Sequence, residues 1–414
     1  MTSETSSFDL DLDLDLLYLD IDPAEQAQIW QHSQMFATPA TRWQGYLNQL
    51  GLQTLLRWLI EENPGARIRP MLNQVLLPTV WEWVSGTALD IDDWRLVIVP
   101  SEAMDSDEFR VPQEWVDIPA WVGDYYLHLQ VNVDESWVKV SGVTTHQRLK
   151  LQGDYDWRDR TYSLPAKDLI SDINVMWVAQ MRSPAATQQA TQQATQQATQ
   201  QATVAPLAHL PLAQVSPLIQ RLSQVNVLNP RLAIDFARWS ALIAHGGWRR
   251  EMSEQRWGHD VALTGAFTGT VSVSQWLQNG VDRAVQSLAQ QLGWQPVTFQ
   301  PVIAAARGEN ISSQTGLARM LQIGDDNYIL QVAPIESPTP NAWRFELQRL
   351  NGVVATGVTL RLLTEDLQAF DNNQVSATEP TEALYIDVAL TPGEGIVWEI
   401  EPTPSQYEPE ILRF

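Results

Sequence analysis

Apolar and polar positions change period several times along this chain, and each change predicts an element. Residues 8–20, FDLDLDLDLLYLD, alternate Phe8, Leu10, Leu12, Leu14 and Leu16 with Asp9, Asp11, Asp13 and Asp15. A period of two predicts a strand with one acidic face. It reads as a frayed tail or an edge kept from aggregating by its aspartates, or as a segment that adds to a partner's sheet edge. A calcium loop does not fit, because Leu14 stands where the turn glycine belongs and Asp20 where the bidentate glutamate belongs. Asp22-Pro23-Ala24-Glu25 then predicts a helix start. A second helix opens near Thr38-Pro39, carries Trp43, Tyr46, Leu47, Leu50, Leu55, Leu59 and Ile60 at helical spacing, and stops at Asn63-Pro64-Gly65.

The period returns to two near Val80, where Trp81, Trp83 and Ser85 would share one face of a strand, and WRLVIV at 94–99 reads as a buried strand. Residues 125–133 and 137–145 form a predicted hairpin around Asp134-Glu135-Ser136. Tyr125, Leu127, Leu129, Val131 and Val133 would face the core, leaving Tyr126, His128, Gln130 and Asn132 as a polar, aromatic outer face. A strand at 161–164 and a helix over 166–179, with Leu169, Ile173, Met176 and Trp177 inward, complete this half. From Ala186 the tetrapeptide ATQQ runs four times, too small and polar to bury a face, so it reads as a flexible tether.

Beyond it, helices are expected at 217–225 and 233–244. Gly246-Gly247 breaks the second before a basic helix at 248–257, and another helix runs from Ser274 to about Gly293. From Val297 the pattern is all-β, with strands at 318–323, 328–334, 342–350, 357–363, 384–390 and 395–400 and a hairpin turn at Asn351-Gly352. The expected architecture is an acidic tail (1–20), a Trp-rich α+β domain (21–182), a linker (183–206), a helical segment (207–295) and a β-sandwich domain (296–414). The first domain reads as helices packed on a bent antiparallel sheet or small barrel, and the last as an immunoglobulin-like sandwich.

Composition narrows the function classes. The 414 residues carry 49 acidic and 26 basic side chains, a net charge of −23, and only Lys139, Lys150 and Lys167 are lysines. With no basic cluster to release counterions, nucleic acid and anionic lipid are disfavoured, and a protein partner with a basic surface is favoured. No cysteine is present, which excludes disulfides, thiolate metal sites and cysteine nucleophiles. The start has no basic region followed by an apolar one, and no apolar run approaches the ~18 residues of a membrane span, so a soluble cytoplasmic protein is expected. Eighteen tryptophans imply Trp-rich cores, with aromatic binding platforms as the other reading.

Candidate chemistry is sparse. No phosphate-binding glycine loop, zinc-protease helix or nucleophile elbow occurs, and the six histidines have no metal-ligand spacing, so neither cofactor nor metal is expected. His146 is the one acid–base candidate, with Asp154, Asp156 or Asp159 as possible orienting carboxylates. The acidic loop at 101–108 reads as solvated. Arg249, Arg250 and Arg256 read either as a docking site for an acidic surface or as partners of local glutamates. A binding face is expected at Trp115, Trp121, Tyr126, His128 and Gln130. The leading reading is a non-enzymatic interaction or regulatory protein. The alternatives are a hydrolase centred on His146 and an aromatic platform for a small ligand or carbohydrate.

The runs RWQGYLNQL, SGTALDIDDWRLVIVPSEAMDSDEFRVPQEWVDIPAWVGDYYLHLQV and VSGVTTHQRLK resemble an uncharacterised cyanobacterial family, known only as a domain of unknown function. The similarity continues through DRTYSLPAKDLI and PRLAIDFARWSALIAHGGWRR and covers nearly the whole chain apart from the acidic tail and the ATQQ repeats. The resemblance implies a cyanobacterial source and, through regulatory gene neighbours such as sigma factors and caspase-like proteins, a link to stress signalling. It carries no activity, cofactor or catalytic residue.

Overall fold

The computed structural model describes residues 17–102, 107–174, 176–177, 204–258, 271–273, 293–299, 314–335, 337 and 339–414. Most of the acidic tail, the centre of the 101–108 loop, the ATQQ repeats and the helix expected from Ser274 lie outside the described residues. The described residues form two compact units, each drawn from separate stretches of chain. The first comprises the described parts of Met1–Gln34, Trp43–Arg69 and Val84–Pro206, and the second those of Met35–Arg42, Pro70–Trp83 and Leu207–Phe414. Eight helices occur among them: α1 (Pro23–Ser33), α2 (Pro39–Glu62), α3 (Leu77–Trp81), α4 (Gln113–Asp117), α5 (His146–Gln152), α6 (Leu212–Leu222), α7 (Phe236–Ala244) and α8 (Gly246–Trp257).

In the first unit α1 begins as expected, with the Asp22 carboxylate accepting from the Ala24 amide at 2.8 Å. The main sheet contains β1 (Tyr18–Asp20), β2 (Ile68–Pro70), β3 (Thr87–Ile91), β4 (Trp94–Ser101), β6 (Tyr125–Asn132) and β7 (Trp137–Thr145), in the order β1-β7-β6-β4-β3-β2. The expected hairpin is β6–β7, with a bulge between His128 and Leu129 that bends the ladder. The expected all-antiparallel sheet needs correction, because β4 and β6 run parallel. Parallel neighbours need a crossover, and β5 (Glu108–Pro112) and α4 supply it. A second sheet orders β5, β9 (Thr161–Pro165) and β8 (Asp154–Asp156) as β5-β9-β8.

This crossover also changes the faces of β6. Helix α2 lies on one side, where Gly51 allows a close approach: a Cβ there would sit 2.8 Å from Leu129 Cδ2. Phe109 of β5 and Trp115 of α4 cover the other side, so residues 126–131 are buried on both faces. The polar outer face expected there is interior. The expected helix at 166–179 is replaced at its start by a single 3₁₀ turn, Ala166–Asp168. Ile170 then leaves helical geometry to bridge Val143, where main-chain pairing with the sheet overrides local propensity.

In the second unit the strand expected from Val80 is the helix α3. Leu76, Leu77, Val80 and Trp81 fit a helical period, and Pro78 occupies the first turn. Helix α6 starts earlier than expected and carries Pro217 inside it. The helix expected over 233–244 ends at Ala244 as expected. Gly246 and Gly247 begin the first turn of α8, which opens two residues before the expected Trp248. Their missing side chains admit residues 408–411: a Cβ at Gly246 would lie 2.5 Å from Glu408 Cδ, and one at Gly247 2.6 Å from Ile411 Cδ1. The Gly247 amide donates to Pro409 O at 2.9 Å.

Two five-stranded sheets follow. One orders β11 (Trp294–Phe299), β12 (Gln314–Ile323), β13 (Asp326–Pro334), β14 (Ala342–Arg349) and β17 (Ala383–Ala389) as β11-β12-β13-β14-β17. The other runs β10-β19-β18-β15-β16, from β10 (Val271–Ser272), β15 (Thr359–Thr364), β16 (Gln374–Ser376), β18 (Gly395–Glu401) and β19 (Ile411–Arg413). All six expected strands are present. Asn351-Gly352 is not a hairpin turn, however: it carries the chain from β14 to β15 in the other sheet, while β14 pairs β17 and β15 pairs β16 and β18. Glu410 joins the sheets of this β-sandwich, one carboxylate oxygen accepting from Trp294 at 2.9 Å and Trp398 at 2.8 Å, the other meeting Arg319 at 2.8 Å.

Candidate functional site

The five residues expected to form a binding face are brought into one layer, and all are buried. Trp115 is 1% exposed, Trp121 3%, Tyr126 0%, His128 3% and Gln130 6%. Trp115 and Trp121 pack with ring centroids 4.9 Å apart, and Trp115 Nε1 donates to Ser85 O at 2.8 Å. Gly86, at φ +121°, makes room for that indole, since a Cβ would fall 2.5 Å from Trp115 Nε1. The Tyr126 hydroxyl donates to Trp115 O at 2.8 Å and accepts from the Gly123 amide at 3.2 Å. Burial raises its pKa above the usual phenol range. His128 stacks on Phe109 at 4.9 Å, and burial, aided by Lys139, lowers its pKa to about 4. These side chains join the main sheet to β5 and α4 and present no open platform.

His146 sits at the first position of α5, partly buried, with Nε2 at 3.0 Å from Val116 O. Burial lowers its pKa, which keeps the ring neutral. The three carboxylates expected to orient it are elsewhere engaged or exposed. Asp159 pairs with Arg110 at 3.0 Å, Asp156 accepts from the Arg158 amide at 2.9 Å, and Asp154 is exposed.

The groups that do assemble nearby were not singled out by sequence. Lys150 Nζ donates to Asp117 Oδ1 at 2.5 Å and to the Tyr162 hydroxyl at 2.6 Å. Tyr162 donates to Asp117 Oδ2 at 3.0 Å, Gln113 Nε2 donates to the same oxygen at 2.8 Å, and the Tyr155 hydroxyl donates to Gln113 Oε1 at 2.8 Å. Burial and the Asp117 charge raise the Tyr162 pKa. A lysine in so lysine-poor a chain was the one available signal. Both Asp117 oxygens are occupied by this chain's own donors, so the carboxylate is held in place and not offered to a substrate.

In the second unit the three arginines of α8 are buried and face inward. Arg256 Nε meets Glu82 Oε1 at 2.8 Å, and its other nitrogens donate to Leu222 O, Gln224 O and Val227 O. Glu82 Oε2 accepts from Trp257 Nε1 at 2.8 Å and the Ala37 amide at 3.2 Å. Arg249 bonds Glu408 and Ile243 O, and Arg250 lies 3.9 Å from Glu408. Arg256 and Arg249 take glutamates from far along the chain, Glu82 and Glu408, which corrects the expectation of local partners for these two. Arg250 shares Glu408 and also interacts electrostatically with Glu254, one turn along its own helix. An acidic docking surface cannot reach guanidinium groups 1% exposed. Burial lifts the Glu254 carboxyl to a pKa of about 8, with Arg250 opposing. His245 caps α8: its Nδ1 accepts from the Trp248 amide at 3.3 Å while Nε2 donates to Glu365 O at 3.1 Å, and burial lowers its pKa to about 3.

Among the described residues no group of three or more His, Asp or Glu side chains is placed to hold a metal ion, and no helix is long and apolar enough to cross a membrane. A pocket of about 200 Å³ lies on the sandwich beside Thr359, Arg361, Glu399 and Tyr407, with Arg361 and Glu399 paired at 3.3 Å. The geometry thus defines an α+β protein of two units whose buried charges serve its own architecture. Residues 19–413 match the family described as "Protein of unknown function (DUF1822)", and the chain belongs to that family. No curated protein and no solved structure matches the chain.

Proposed function

We propose that this chain is a non-enzymatic cytoplasmic interaction protein whose partner presents a basic surface. The observation that carries the reading is where the cations go. Among the described residues at least fifteen Lys and Arg side chains lie within ion-pair distance of this chain's own carboxylates. With 26 basic against 49 acidic residues, the outward field is dominated by unpaired carboxylates. Such a field steers basic partners and repels acidic ones. The commitment of His146 to a main-chain carbonyl, and of Asp117 to three internal donors, supports a binding role over hydrolysis. We read the C-terminal domain as an immunoglobulin-like sandwich, a kind of module that commonly presents surfaces; two packed five-stranded sheets support that reading.

Affinity capture with the full chain, at about 50 mM and about 500 mM salt, tests the proposal. The expected result is capture of a protein with a basic surface that is lost at high salt, where exposed charges are screened beyond roughly 4–5 Å. Capture of acidic partners, or a yield unchanged by salt, refutes it.

A further inference from the structure

The small sheet of the first unit ends on β8, whose outer edge pairs with no strand among the described residues. An open edge offers unpaired main-chain groups and is normally blunted or covered. This one is flanked by exposed apolar side chains: Leu151 is 45% exposed, Tyr155 43% and Trp157 73%. The Tyr155 ring is already fixed, packed 4.9 Å from Tyr162 and tied through its hydroxyl to Gln113. Along the strand Asp154 and Asp156 share one face and Tyr155 takes the other.

Charge separates the possible occupants. The cations around β8 are engaged: Lys150 by Asp117, Arg110 by Glu108 and Asp159, Arg148 by Asp168, while the Arg158 guanidinium lies 5.7 Å from the Trp157 ring centre. Among the described residues Asp154 and Asp156 form no ion pair, and Asp156 accepts the Arg158 amide. A second copy pairing antiparallel about Tyr155 would set Asp154 opposite Asp156, a repulsive cross-strand contact. A segment with cations at alternate positions meets the opposite situation.

We infer that the outer edge of β8 accepts one extended segment of a protein partner by strand addition, with Lys or Arg facing Asp154 and Asp156 and an apolar residue between them packed on Tyr155. This rests on the basic-partner reading and narrows it to one edge. Main-chain pairing supplies affinity, and the alternating charge supplies register.

The probe is a fluorescein-labelled decapeptide of alternating lysine and valine, titrated into the full chain and followed by anisotropy. Saturable binding is expected, weakened at least tenfold in the double variant D154K/D156K. The variant E379K/E382K, with the same change in charge at two exposed glutamates of the second unit, should bind like the parent. The same peptide N-methylated at its four central residues, so that neither edge can donate, should bind the unaltered protein at least tenfold more weakly. That arm is independent of whether D154K/D156K folds. No peptide binding, equal binding by D154K/D156K, or equal binding of the methylated peptide overturns the inference. If peptide binding is salt-sensitive yet indifferent to D154K/D156K, the edge is wrong while the basic-partner reading stands. Loss of that reading shows separately, in the capture experiment.

Discussion

Removing the Glu82 carboxylate tests how the second unit is held together. The Glu82 side chain is fully buried and the Arg256 side chain is 1% exposed. Glu82→Ala takes the anion from Arg256 and leaves the Trp257 indole and the Ala37 amide without their acceptor. Truncating one member of a buried pair costs about 3–5 kcal/mol, chiefly because the remaining charge is stranded. Glu82→Gln keeps a neutral acceptor for Trp257 and Ala37 but strands the Arg256 charge all the same and turns an amide NH2 towards its Nε–H, so its cost should also be about 3–5 kcal/mol. Burial raises the Glu82 pKa despite Arg256, which means the pair only partly offsets its own desolvation. The double variant E82L/R256M therefore should lose less than the two single truncations together, with a coupling of about 2 kcal/mol. It will not be neutral, because Arg256 also serves three carbonyls. Urea unfolding of the full chain at pH 7, with hydrogen exchange of the α8 amides to locate the effect, gives these values. A loss below about 1 kcal/mol for Glu82→Ala, or strict additivity of the double variant, refutes the account.

His245 and Glu254, in and beside α8, should respond to pH in opposite directions. The folded pKa of His245 lies near 3, below its ordinary value, so its contribution is complete above about pH 6.5 and is lost as pH falls towards 3; the loss is about 2 kcal/mol by pH 5. His245→Asn puts a capping oxygen in place of Nδ1 and should flatten that acid limb in urea titrations from pH 4 to 7. Glu254 has a folded pKa near 8, so its contribution is present below about pH 4.5 and is lost as pH rises to 8. Glu254→Gln should stabilise the protein at pH 8.5, by on the order of 3 kcal/mol, and leave it nearly unchanged at pH 4. Gly247→Ala should destabilise by about 1–3 kcal/mol, since its Cβ meets Ile411, and a thermal melt within 1 °C of the parent would contradict the close approach.

Much of the local structure was legible because one-sided burial leaves a period. Strand β7 and the strands of the C-terminal sandwich announce themselves by alternation and turn residues, and β6 by the alternating polarity of its sequence although both its faces are buried. The alternation of Trp81, Trp83 and Ser85 suggests a strand from Val80, where the chain is helical to Trp81. The spacing of Leu76, Leu77, Val80 and Trp81 fits a helix equally well, and short apolar runs do not decide between the two. Tyr126, His128 and Gln130 look solvent-facing by polarity. What covers them is Phe109 and Trp115, placed there by a parallel crossover that no local pattern encodes. Asp117, Lys150 and Tyr162 lie up to 45 positions apart, and their meeting depends on register between β9 and the helices beside it. Periodicity reports which way a side chain faces, not which distant group it will find.

The pairing of Glu82 with Arg256 and Trp257 also bears on the order in which the protein is made. At ribosomal rates of roughly 5–20 residues per second, Glu82 emerges about 9–35 s before the residues that neutralise it. Throughout that interval residues 35–42 and 70–83 lack the rest of their unit, although the stretches flanking them already belong to the other. The nascent chain must hold Trp81, Trp83 and an unmatched carboxylate away from premature burial. A chaperone that binds short apolar segments would have its natural target there.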